Sequence, residues 1–121
     1  MAAAPLVALE IGTTKVAAVV AEPRADGHLI VTGVGEYPSS GVRKGEIIAF
    51  DNALICVRSA LQLAEESAQV EVGRVHLAVF GGHIQSMVNR GTVPVADPGG
   101  EITGRDVDQV MSVARAVNLS P

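Results

Sequence analysis

One hexapeptide in this sequence, Glu10-Ile11-Gly12-Thr13-Thr14-Lys15, holds residue types that could do chemistry together. A Gly-Thr turn can aim several main-chain N–H groups the same way and so form an anion nest suited to phosphate oxygens. Gly12 would let a phosphate come close to the main chain. Thr13 and Thr14 would add hydroxyl donors and Lys15 a point charge. Glu10 is placed to hold a water on a magnesium ion. The plain alternative is an ordinary hairpin turn with a charge at its mouth, since Gly-Thr turns are common. The hexapeptide alone leaves both readings open.

The elements that would position these residues can be read from the apolar pattern. Residues Leu6 to Ile11, Lys15 to Ala21 and Leu29 to Val34 form three β-rich runs separated by Gly-containing turns, which predicts an antiparallel meander. The first two are apolar at every other position and between, as expected for strands covered on both faces. A helix is predicted from near Asp51, with Leu54, Val57, Leu61, Ala64 and Ala68 along one face. Arg74 to Phe80 reads as a further strand, completing a β-β-β-α-β order with a helical crossover. Beyond Gly81-Gly82, alternation over residues 84–89 and 92–96 predicts strand. Thr103 to Asp106 reads as a capping box. A helix follows it with Val107, Val110, Met111, Ala114 and Val117 on one face. One strand and one helix are too little to enclose a core, so this part is expected to be an unfinished subdomain.

Composition narrows the function classes. The 121 residues are 48% apolar but contain only Tyr37, Phe50 and Phe80 as aromatics, so any core must be aliphatic. Net charge is −4 and the nine basic residues are scattered, which argues against a nucleic-acid groove and its dense positive field. Arg43-Lys44, the nearest thing to a basic cluster, reads as a solvated loop pair. The lone cysteine, Cys56, falls in the helical pattern as a small core residue. With no secretory signal, this favours a reducing, cytoplasmic compartment. No apolar run approaches the ~20 residues that cross a bilayer. His76, His83 and Cys56 have no metal-ligand spacing, and no direct metal ligand is assigned. His76 is expected to be a half-buried strand residue and His83 a solvated one. Gly33-Val34-Gly35 is half of a dinucleotide fingerprint, but Tyr37-Pro38 follows where a helix should start. Asp97, Glu101, Asp106 and Asp108 suit a helix N-terminus without calcium.

A phosphate turn between the first two strands of a β-β-β-α-β unit resembles the opening of the actin and sugar-kinase superfamily. Within it, Leu9 to Ala18 resembles the start of FtsA, a family of cell-division proteins. Gly33-Val34-Gly35 followed by Gly41-Val42-Arg43-Lys44-Gly45 is similar as well. Val75 to Ile84 resembles that family's passage into its inserted subdomain, and Asp106 to Val117 resembles the first helix of the insert. Glu10 departs from the superfamily's usual Asp, and Ala49 from the family's frequent Asp before the first helix.

The resemblance implies an α/β fold: an actin-like (ribonuclease H-like) first subdomain over residues 1–81, then the start of an SHS2-type insert over 82–121, together a fragment. It implies a nucleotide-binding scaffold that polymerises at the cytoplasmic membrane and anchors FtsZ filaments at the division septum. Gly12, Thr13, Thr14 and Lys15 would hold the phosphates of ATP, with Glu10 on a magnesium-bound water. Binding by this fragment alone would be weak or absent. The family reading is of an ATP-binding scaffold with at most weak ATPase activity, not an enzyme. Its partners would be FtsZ, other division proteins and further copies of itself. Nucleic acid is not among them, and membrane contact would come through sequence absent here. Two other readings are an FtsA-like pilus-assembly protein and a sugar or acetate kinase-like enzyme.

Overall fold

The computed structural model describes residues 4–117. The chain divides into two compact units, Met1–Ile84 and Gln85–Pro121.

In the first unit, β1 (Leu6–Ile11), β2 (Lys15–Pro23) and β3 (Leu29–Pro38) run in succession, each antiparallel to the last. A short hairpin of β4 (Val42–Arg43) and β5 (Glu46–Ile47) follows, then α1 (Phe50–Ala68) and β6 (His76–Ala78). The sheet order is β3-β2-β1-β6, and β6 lies parallel to β1 with Leu77 opposite Leu9. A parallel neighbour needs a crossover, and α1 provides it.

Strand alternation sends Val7 and Leu9 of β1, and Val16, Ala18 and Val20 of β2, to the face that α1 covers with Cys56, Ala60 and Ala64. Val16 and Val20 are fully buried, and each such side chain stabilises the fold by about 1.5–3 kcal/mol. Leu54, Val57 and Leu61 flank this line half-buried, while Ala53, Cys56, Ala60 and Ala64 form its centre. Small residues occupy the centre because β3 presents Gly33 and Gly35 to the helix. A Cβ on Gly35 would run into the Ala60 carbonyl oxygen and the Ala64 nitrogen. One on Gly33 would lie 2.6 Å from the Ala68 Cβ. The Gly-Val-Gly segment is therefore a close-packing device between strand and helix.

The structure departs from expectation on the other face. Leu6, Ala8 and Glu10 of β1 are exposed, so β1 is covered on one face only among the described residues. His76 lies on that open face, paired with Ala8, and is exposed rather than half-buried. Cys56 is buried as expected, with its Sγ 4.0 Å from the Ser40 carbonyl oxygen.

In the second unit the described residues contain α2 (Gly104–Arg115) and no strand. The alternation over 84–96 does not become a ladder, because strand hydrogen bonds need a neighbouring strand and none lies beside it here. Instead the segment runs along the helix, tied by Asn89 Nδ2 to the Ala114 carbonyl (2.8 Å) and by the Ala96 N–H to Asp106 Oδ1 (3.2 Å). The capping box forms: Asp106 Oδ2 accepts the Thr103 N–H at 2.8 Å and the Thr103 hydroxyl at 2.9 Å. Asp106 is only 4% exposed. The Thr103 and Ala96 N–H groups hold its carboxyl below the ordinary carboxylate value, the Thr103 hydroxyl and Arg105 adding to that against the cost of burial. Of the predicted stripe, Val110, Ala114 and Val117 are half-buried, while Val107 and Met111 stay exposed. No helix among the described residues is long and apolar enough to cross a membrane.

Candidate functional site

The turn between β1 and β2 is a two-residue loop, Thr13-Thr14, closed by the Gly12 N–H donating to the Lys15 carbonyl at 2.9 Å. Gly12 is buried, and Thr13, Thr14 and Lys15 are exposed. A Cβ on Gly12 would lie 2.8 Å from the Lys15 carbonyl oxygen. Glycine is thus required here first by the turn's own backbone, not by a ligand's approach. The N–H groups of Thr13 and Thr14 have no protein acceptor among the described residues. Two adjacent free donors at an exposed loop tip are the elements of an anion nest.

Register settles where the charged groups fall. Glu10 opposes Ala17 in β2, and Ala17 opposes Glu36 in β3, so both carboxylates stand on the sheet face away from α1. Lys15 is a diagonal neighbour of Glu36 on that face, and the Lys15 Nζ meets Glu36 Oε1 at 3.0 Å with both side chains 55% exposed. The hydrogen bond to Glu36, and then Glu36's charge, hold the Lys15 ammonium above its ordinary titration range, with Glu10 adding a smaller push. Lys15 is therefore a cation already partnered by a carboxylate. Exposed pairs of this kind hold only weakly, so an anion can draw Lys15 away.

The β4–β5 hairpin closes over the same turn. Lys44 and Gly45 form its two-residue loop with φ of 50° and 84°, the positive pair of a type I′ turn. The Lys44 N–H donates to Thr13 Oγ1 at 2.9 Å, and the Ser39 N–H donates to the Thr14 carbonyl at 3.0 Å. The base of the hairpin is fixed by the Gly41 carbonyl, which accepts the Ile48 and Ala49 N–H groups.

Thr13, Thr14 and Lys15 thus share one exposed tip, with Gly12 buried at its base and Glu10 two residues before Gly12. The sequence does not mark Glu36, and it marks Lys44 only as half of a solvated loop pair. Glu36 could have been found by pairing β2 with β3 and reading the diagonal. Lys44 acts through its main chain, and no side-chain pattern marks that role. Among the described residues no three His, Cys, Asp or Glu side chains are grouped to hold a metal directly.

Residues 81–121 match the SHS2 domain inserted in FtsA. Over 114 residues, 94% of this chain, the sequence is 39% identical to the cell division protein FtsA of Escherichia coli K12, and it covers 27% of that protein. It is 34% identical over 113 residues to FtsA of Neisseria meningitidis serogroup B, again covering 27% of the relative. With FtsA of Streptococcus pneumoniae the identity is 36% over 113 residues and the share covered 24%. A solved structure of diol dehydratase-reactivating factor in nucleotide-free form has a TM-score of 0.47 and 19% identity, over 60% of this chain and 11% of that one. The chain spans about a quarter of the length of the curated relatives it matches. Over the residues that these matches span, the chain resembles a segment of the FtsA cell-division proteins, its residues 81–121 matching the SHS2 domain inserted in them.

Proposed function

We propose that this chain is the phosphate-holding opening of an FtsA-type cell-division scaffold. The observation that carries the reading is the exposed Thr13-Thr14 tip beside Lys15, whose two N–H groups have no acceptor among the described residues, in a chain 39% identical to a division protein. These groups suit the phosphates of ATP: the N–H pair and the hydroxyls donate, and Lys15 supplies charge. Glu10 would reach a magnesium ion through water. Bound ATP with magnesium would act as a conformational and assembly ligand, and the protein would be a scaffold with at most weak ATPase activity.

On this reading residues 1–81 are an actin-like first subdomain, and the parent protein polymerises on the inner face of the cell membrane and anchors FtsZ filaments at the septum. The site has a second half outside these residues, so the isolated chain binds ATP weakly, in the millimolar range or beyond. The names of the relatives favour division over pilus assembly.

A chimera in which this chain replaces the matching segment of the Escherichia coli relative tests the function. It should bind ATP and support division in cells depleted of their own FtsA, and the Lys15→Ala chimera should bind about tenfold less tightly. A folded chimera that supports division with no ATP binding would remove the nucleotide reading. One that binds ATP but leaves cells undivided would remove the division reading.

A further inference from the structure

We propose that the main-chain N–H of Lys44, presented by the β4–β5 hairpin, is the latch that orients the Thr13 hydroxyl toward an anionic ligand on the Thr13-Thr14 turn. This rests on the phosphate reading of that turn and adds a positioning element to it. A threonine hydroxyl has one proton to give and two lone pairs to receive. With the Lys44 N–H donating to Thr13 Oγ1 at 2.9 Å, one lone pair is taken, the hydroxyl oxygen is held in place and the O–H is turned away from Lys44. Its proton has no acceptor among the described residues and remains for a phosphate oxygen. An accepted hydrogen bond also polarises the O–H and strengthens it as a donor.

The hairpin is built to present that N–H. Lys44 stands in the left-handed region (φ 50°), a conformation most side chains resist. Gly45 behind it (φ 84°) packs so closely on the Phe80 carbonyl oxygen that a Cβ there would collide with it. The loop is therefore backed on one side and bonded to the turn on the other. The Lys44 side chain is exposed, and its ammonium takes no part in the latch.

The test uses this chain, with amide exchange read without ligand and amide shifts read during titration with Mg-ATP. Wild type should show a protected Lys44 amide and shifts at Thr13, Thr14 and Lys15. Thr13→Val keeps the side chain's shape but loses the hydroxyl. It should expose the Lys44 amide to fast exchange and weaken Mg-ATP by about tenfold. Thr13→Ser should restore both, which a purely packing role of the Thr13 methyl would not. Lys44→Gly keeps the N–H and tolerates positive φ, and should bind within about twofold of wild type on the same grounds.

Wild-type affinity in Thr13→Val overturns the latch, as does an unchanged Lys44 exchange rate in that variant. So does a loss in Lys44→Gly as large as that in Thr13→Val, which would assign the effect to the ammonium. A wild-type chain whose turn amides do not shift at any Mg-ATP concentration sinks the phosphate reading itself and this proposal with it. The wild-type titration therefore tells the two failures apart.

Discussion

The two units of this chain bury different things. In the first, the most buried groups are aliphatic: Val16, Ala18, Val20, Ala60 and Ala64 are wholly enclosed between sheet and helix. In the second, the one buried residue among those described is a carboxylate, Asp106, held by the Thr103 and Ala96 N–H groups and the Thr103 hydroxyl. The first unit is held by area removed from water, which is non-directional and additive. The second is held around a few directional bonds, each of which can be lost singly. A turn that is to hold phosphate would need the rigid background of the first, and the proposed one lies there, at the ends of β1 and β2.

Hydrogen exchange should show the contrast at its largest, because local stability follows buried apolar contact. The amides of Val7 and Val19 should exchange about two orders of magnitude more slowly than those after Gly82. Equal protection in both parts of a monomer would break the comparison.

Gly35→Val should come next. The new side chain would strike the α1 backbone at Ala60 and Ala64, and overpacking of this kind costs about 1–3 kcal/mol or more. Denaturant unfolding followed at α1 should record that loss, while the exchange of the α2 amides stays unchanged.

Asp106→Ala should do the reverse, unprotecting the α2 amides and leaving Val7 and Val19 slow. Acid should mimic it. The Asp106 carboxyl titrates below its ordinary 3.8 in the folded chain. Its contribution is therefore complete above that value and is lost as pH falls through the lower folded value. The α2 amides should lose protection in that acid window before the sheet does.

The smallest effect belongs to the surface pair. Glu36→Gln frees Lys15, whose ammonium would then titrate lower, nearer its ordinary 10.5. The pair's own contribution is present below 10.5 and fades as pH rises through the raised folded value. Thermal melting at neutral pH should barely change, while Mg-ATP should bind about twofold more tightly because Lys15 no longer has to leave a carboxylate.

Much of the first unit was legible because its signals are local. Leu6–Ile11 is the strand that its apolar run predicts, and Thr103 and Asp106 form the cap that their spacing predicts. What stayed hidden depends on partners far along the chain. Periodicity puts Leu54, Val57, Leu61, Ala64 and Ala68 on one face and Cys56 in the core, yet the line of closest packing also takes in Ala53 and Ala60. Their smallness matters only because Gly33 and Gly35 lie opposite. Alternation at 84–96 looked like strand because the pattern records which residues are apolar, and not whether a ladder partner exists. At the site, the hexapeptide was visible by residue type. Its ties to Glu36 and Lys44 needed the β2–β3 register and a main-chain hydrogen bond, neither of which is written in residue type.

The central claim is that the Thr13-Thr14 tip receives phosphate. A titration of the ¹⁵N-labelled chain with Mg-ATP, read amide by amide, tests it most directly. The account predicts shifts confined to Thr13, Thr14, Lys15 and Lys44, saturating in the millimolar range or weaker, with residues 85–117 unmoved. Shifts centred elsewhere with the turn silent would contradict the claim. Micromolar saturation at the turn would contradict the half-site on which the fold reading depends.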